Sequence, residues 1–119
     1  MQASDPVLDP DVIASLKELG GEDEPELFVE LVDLFLEDAR AHLGFLSEAL
    51  ERGDALAIER TAHTLKSSCG NIGAKRLSRS CADLEQLGKH SRLEEAAELV
   101  RLAIGQYEEV RSALGAERA

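Results

Sequence analysis

The chain has 119 residues, no Trp, 3% aromatic residues and a formal net charge of -11. That length makes one domain with one core, which must be built mainly from Leu, Ile, Val and Ala. The acidic balance argues against nucleic acid or an anionic membrane surface as partner, and no apolar run approaches the roughly 18 residues of a membrane span.

Asp9 or Pro10 opens a first, short helix, which Gly20 and Gly21 end. Glu24-Pro25 starts a second helix, expected to run to about Arg52 and stop at Gly53. Phe28, Leu31, Val32, Phe35, Ala39, Leu43, Leu46 and Leu50 recur along it at three- and four-residue steps and form its buried stripe. Leu34, Ala41 and Phe45 fall outside that stripe. They either pack under the first helix or belong to an apolar docking patch, since such patches are unusual on a monomer.

Asp54 caps a third helix, which continues to about Ser68 or Cys69. Gly70 and Gly73 bracket the turn into a fourth, from about Ala74 to Lys89. Ser91 caps the fifth, with the stripe Leu93, Ala96, Ala97, Val100, Ala103, Ile104, Tyr107 and Leu114. Residues before about 7 and after about Ala113 are expected to fray. All three prolines (Pro6, Pro10 and Pro25) precede the long helical stretches. Short connections make neighbouring helices antiparallel. The expected fold is therefore all-α: an antiparallel up-down-up-down four-helix bundle with a short additional N-terminal helix. It forms one domain over residues 1–119, with its core at about 7–114.

The third helix holds the candidate chemistry. At roughly 100° per residue, Ile58, Ala62, Leu65 and Cys69 share the core face, and His63 points roughly 130° away from them. Lys66, Ser67 and Gly70 lie three, four and seven residues further on, on the same outward face. Imidazole offers a nucleophilic ring nitrogen near neutral pH. A nucleophile attacking phosphorus needs room for in-line approach, and the spread charge of the moving phosphoryl group is stabilised by a nearby ammonium. Lys66 is placed for that, and Ser67 and Gly70 leave the room. An exposed helical histidine is nonetheless most often a solvated surface residue.

The other signals are weaker. Residues 64–92 carry Lys66, Lys75, Arg76, Arg79, Lys89 and Arg92 against Asp83 and Glu85, a local excess of +4 in an acidic chain. This is either an ordinary solvated surface or an electrostatic guide for an acidic partner. Cys69 and Cys81 lie on apolar stripes and read as small core residues, free thiols in a reducing cytosol. No ligand spacing supports a metal or di-iron site built from His42, His63 and His90. No GxxxxGK[ST] or GxGxxG segment offers a nucleotide site. The initiating Met and compact length point to a free-standing chain.

The run His63-Thr64-Leu65-Lys66-Ser67-Ser68-Cys69-Gly70-Asn71-Ile72-Gly73-Ala74 closely resembles the signature of histidine-containing phosphotransfer (HPt) domains. Val7-Leu8-Asp9, Leu34-Phe35-Leu36 and Leu84-Glu85-Gln86-Leu87-Gly88 resemble the family as well, so the likeness covers nearly the whole chain.

The resemblance implies a phosphocarrier in a two-component phosphorelay. By it His63 accepts a phosphoryl group from a receiver-domain aspartyl phosphate and passes it to another receiver aspartate. Lys66 neutralises phosphate charge, while Ser67, Gly70 and Gly73 keep the approach open and shape the helix end. Many members carry glycine where Ser67 stands. Glu85 takes the place of a glutamine that in some members bonds the imidazole, with Gln86 beside it, and Lys89 aligns with a basic residue that in some members faces the phosphate. Leu34 and Ala41 are docking candidates. The implied partners are response-regulator receiver domains or a hybrid sensor histidine kinase. The chain is implied to be no enzyme and to hold no cofactor, magnesium being held by the receiver. A cytoplasmic monomer is expected. The alternative is a module that docks on or sequesters a signalling partner without being phosphorylated.

Overall fold

The computed structural model describes residues 6–119 and contains five α-helices: α1 Pro10–Gly20, α2 Leu27–Arg52, α3 Ala55–Ile72, α4 Lys75–Lys89 and α5 Leu93–Arg118. The N-terminal fraying expected before about residue 7 falls mostly on residues 1–5, which lie outside the described residues. The molecule measures 48 × 30 × 19 Å.

Local chemistry sets most boundaries. Asp9 caps α1 by accepting from Asp11 N at 2.9 Å, and Pro10 occupies its first turn. A turn over Glu24 and Pro25 delays α2 until Leu27, and left-handed Gly53 ends it. Asp54 caps α3 by accepting from Ala57 N at 3.0 Å.

Three expected ends move. α3 does not stop at Ser68 or Cys69 but runs through Gly70 to Ile72. Its stop is Gly73, at φ 87°, whose N–H reaches the carbonyls of Cys69 and Gly70. Ser91 is not the cap of α5: it takes a left-handed φ of 56° inside the reversal, and Arg92 is the capping position. α5 does not end near Ala113. Leu114, the last residue of the expected stripe, is buried, as is Val110, which that stripe left out, and the last turn is held by Lys17–Glu117 at 2.7 Å and Arg118–Asp33 at 3.0 Å. Ile104, expected inside, is exposed.

The core is aliphatic, with Leu46, Ile58, Leu65, Leu77, Leu84 and Leu114 fully enclosed. Buried Tyr107 satisfies its hydroxyl by donating to the Leu36 carbonyl at 2.9 Å, which ties α5 to α2. α3 and α4 run antiparallel: the N-terminal turn of α3 meets Gly88 of α4, while Gly70 lies near Ser78. α1 crosses the far end of the bundle, buries Ile13 and anchors to the end of α3 through Asp9 N donating to Gly73 O at 2.8 Å.

Candidate functional site

Ile58, Ala62, Leu65 and Cys69 are all fully buried. They lock the rotation of α3 and so fix what faces outward. The His63 side chain is 60% exposed, on that outer face.

The imidazole is not a free surface ring. Its Nδ1 lies 2.9 Å from Glu85 Oε2, and Glu85 Oε1 accepts from Lys66 Nζ at 2.8 Å. One carboxylate thus bridges the histidine and the lysine across the α3–α4 contact. Lys66 first, and His63 after it, hold the Glu85 carboxyl below its ordinary value, so the carboxylate is ionised at neutral pH. An ionised acceptor at Nδ1 favours the tautomer with its proton there and leaves Nε2 with the lone pair.

The remaining candidates divide. Ser67 is exposed beside the ring, and its hydroxyl donates to the His63 carbonyl at 3.4 Å. Gly70 is also exposed, within the helix rather than in a turn. Gly73 does not keep the approach open. It is buried, and a Cβ there would lie 3.1 Å from Val12 Cβ, so it serves the helix stop and the docking of α1. Gln86 does not share the ring with Glu85: it lines a groove toward α5 with Asp83, Leu87, Glu95, Glu98, Leu99 and Leu102. Lys89 is exposed at the end of α4, one turn beyond Glu85 and on the same face.

Two residues that support the site went unread in the sequence. Ser78 donates from Oγ to the Lys66 carbonyl at 3.0 Å and pins α4 to the backbone of α3. Gly88 lets the two helices approach, since a Cβ there would fall 2.7 Å from Glu59 N. The sequence signal for Gly88 is a glycine on the apolar stripe of an otherwise regular helix. Among the described residues no three His, Cys, Asp or Glu side chains converge as metal ligands.

The family model of the Hpt domain matches residues 30–117, which run from the first turn of α2 through α3, the helix carrying His63, and α4 to the last turn of α5. The chain belongs to the Hpt domain family.

Similar proteins agree with that membership. The crystal structure of histidine-containing phosphotransfer protein B from Pseudomonas aeruginosa is 36% identical, covers 97% of this chain and 96% of its own, and superposes with a TM-score of 0.87. Phosphorelay protein LuxU of Vibrio harveyi is 30% identical over 80 residues, 67% of this chain and 70% of that protein. Histidine-containing phosphotransfer protein 5 of Arabidopsis thaliana is 29% identical over 76 residues, and the match spans 48% of its length.

Between α1, α2 and the C-terminal half of α3 of this Hpt domain lies an apolar groove of about 350 Å³. Leu16, Leu31, Leu34, Phe35, Asp38, Ser68, Asn71 and Ile72 line it. α1 contributes Leu16 but does not bury the flank of α2: Leu34 stays 66% exposed and Phe45 51%. Ala41 is exposed too.

Proposed function

We propose that this chain is a phosphorelay phosphocarrier whose phosphorylated atom is Nε2 of His63. One observation carries the reading: an exposed imidazole whose Nδ1 is held by an ionised carboxylate, which turns the opposite ring nitrogen outward. Nε2 attacks the phosphorus of a receiver's aspartyl phosphate. The N–P bond forms as the P–O bond breaks, and the electron pair leaves on the receiver carboxylate. The Nδ1 proton stays where Glu85 holds it. Transfer to the next receiver is the same step reversed.

The neighbours have matching roles in this reading. Lys66, and Lys89 beyond it, offset charge on the moving phosphoryl group. Ser67 and Gly70 present little bulk to an incoming receiver. Leu34 and Ala41 contribute apolar contact area for it. Magnesium and most of the catalytic groups belong to the receiver, so the chain is a carrier rather than an enzyme. Its partners are response-regulator receivers, or a hybrid sensor kinase that carries one. Of the +4 segment, Lys66 is engaged by Glu85 and Lys75 by Asp9 at 2.6 Å, so only part of that excess is available to guide an acidic partner. The reading includes a monomer in the reducing cytosol, where Cys69 and Cys81 stay free thiols.

Incubation with a phosphorylated cognate receiver tests it. Label is expected on the wild-type chain and absent from His63→Gln. A wild-type chain that binds the receiver but takes no label would instead be a docking module, and the phosphocarrier reading would fall.

A further inference from the structure

Glu85 serves two partners with two separate oxygens. Lys66 Nζ occupies Oε1 at 2.8 Å, and His63 Nδ1 meets Oε2 at 2.9 Å. The side chain is only 19% exposed, so this is no mobile surface carboxylate. The Ser78 bond to the Lys66 carbonyl and the close approach at Gly88 hold α4 in register with α3. Lys66 thereby fixes which oxygen remains for the ring.

The consequence appears once Nε2 carries phosphorus. In discharge the N–P bond breaks and its electron pair stays on Nε2. With a proton on Nδ1 the leaving group is neutral imidazole. Without that proton it is imidazolate, a far stronger base and a far poorer leaving group. We propose that Glu85 is a positioning residue that sets the lifetime of the phosphoryl group on His63, by keeping a proton on Nδ1 and so keeping the ring a good leaving group. This rests on the phosphocarrier reading. A new P–O bond forms to the acceptor, either a receiver carboxylate or water, and attacking water gives its proton to solvent. Glu59 and Arg60 lie one turn back from His63 on α3, and Lys89 lies one turn beyond Glu85 on α4. Across the groove Asp38 pairs with His42 at 3.3 Å. All of these persist when Glu85 alone is changed.

The test compares the wild-type chain with Glu85→Gln, each charged by a small phosphoramidate donor. Glutamine keeps an acceptor oxygen but removes the charge. Two quantities are read at pH 7.5: the half-life of the phosphohistidine in water, and the fraction of phosphorylated rings bearing Nδ1–H, by ¹⁵N NMR. Without the carboxylate that accepts from Nδ1, fewer phosphorylated rings leave as neutral imidazole, so the variant should hold its label about three- to ten-fold longer. Its Nδ1–H fraction should fall in step. Equal half-lives would overturn the inference. A longer half-life with an unchanged Nδ1–H fraction would overturn it as well, by pointing to direct repulsion between carboxylate and phosphoryl. A wild-type chain that takes no label from the donor, while binding its receiver, would remove the phosphocarrier reading and this inference with it.

Discussion

Gly88 lies so close to Glu59 that a Cβ at position 88 would fall 2.7 Å from the Glu59 backbone nitrogen and 3.0 Å from its Cα. The Ala55 carbonyl oxygen would also be 3.0 Å away. Backbone atoms in the opening turns of α3 cannot swing aside as a flexible side chain would. The separation of α3 and α4 is therefore set by the missing side chain. Gly88 follows Glu85 by three residues, and Glu59 precedes His63 by four. The helix spacing and the reach of the carboxylate to the imidazole are fixed at one place.

Gly88→Ala should push α4 outward although alanine is the better helix former. Overpacking is worth about 1–3 kcal/mol against roughly 1 kcal/mol of helix propensity, so the net effect is destabilising. The hydrogen-bonded Nδ1–H signal of His63 should weaken in the same variant. Urea unfolding and ¹⁵N NMR check the two halves, and a stabilised Gly88→Ala chain would contradict the first.

Leu65 and His63 sit two residues apart on opposite faces of α3, one fully enclosed and one 60% exposed. Leu65→Ala should cost about 2–5 kcal/mol, the range for a buried leucine whose cavity collapses only in part. His63→Gln should leave stability within roughly 0.5 kcal/mol while abolishing label acceptance. Chemical denaturation of both variants, beside receiver transfer assays, separates folding from function.

How much of this was legible in the sequence differs by element. The outward turn of His63 follows from Ile58, Ala62, Leu65 and Cys69, because one apolar face dictates the other. The choice between Glu85 and Gln86 does not follow from periodicity. Adjacent residues differ by about 100° around a helix, and only the register of α4 against α3 selects one. Gly70 reads locally as a stop, yet the helix continues through it because its exposed position needs no side chain to pack. Gly73 is the true stop, since the chain must there turn left-handed beneath Val12. Ser91 has a good capping side chain, but the tight reversal from α4 takes its backbone left-handed. The length of α5 rests on partners distant in sequence, Lys17 and Asp33, which no local pattern contains.

Gly70 and Gly73 should respond oppositely to alanine. At Gly70 an added Cβ meets only Ser78 Oγ at 3.8 Å, an ordinary contact, so Gly70→Ala should stabilise by up to about 1 kcal/mol through helix propensity. At Gly73 the φ of 87° and the Val12 contact at 3.1 Å both oppose a side chain. Gly73→Ala should destabilise by more than about 1 kcal/mol and loosen α1, whose Asp9 N–H bonds the Gly73 carbonyl. Hydrogen exchange along α1 gives the readout. Unchanged protection of Ile13 would show that Gly73 does not govern the docking of that helix.

Leu34 offers a cleaner separation of docking from folding. It is 66% exposed at the edge of the groove, so Leu34→Ala should change stability by less than roughly 0.5 kcal/mol. Loss of its apolar contact should lower the rate of label transfer from a receiver at limiting concentration. Labelling by a small phosphoramidate, which needs no docking, should be unaffected. Equal slowing with both donors would place the effect on the histidine rather than on a docking surface.

The Glu85 bridge should give the fold an acid-sensitive component of known sign. Its carboxyl is held below the ordinary 4.5 by Lys66 and then His63, so the folded chain releases this proton more readily than the unfolded one. The unfolded state therefore binds more protons in that region, and stability rises with pH across it. The contribution is complete above the ordinary value and is lost as pH falls through the lower, folded one. Thermal unfolding of the wild type should lose stability on acidification below about pH 5, where carboxylates begin to protonate. Part of that loss should be missing from Glu85→Gln, because glutamine has no charge to lose. The two chains should differ most near neutral pH and converge in acid. A gap that widened as pH fell would mean that the bridge opposes folding, and would reverse the reading of Glu85 as the brace between α3 and α4.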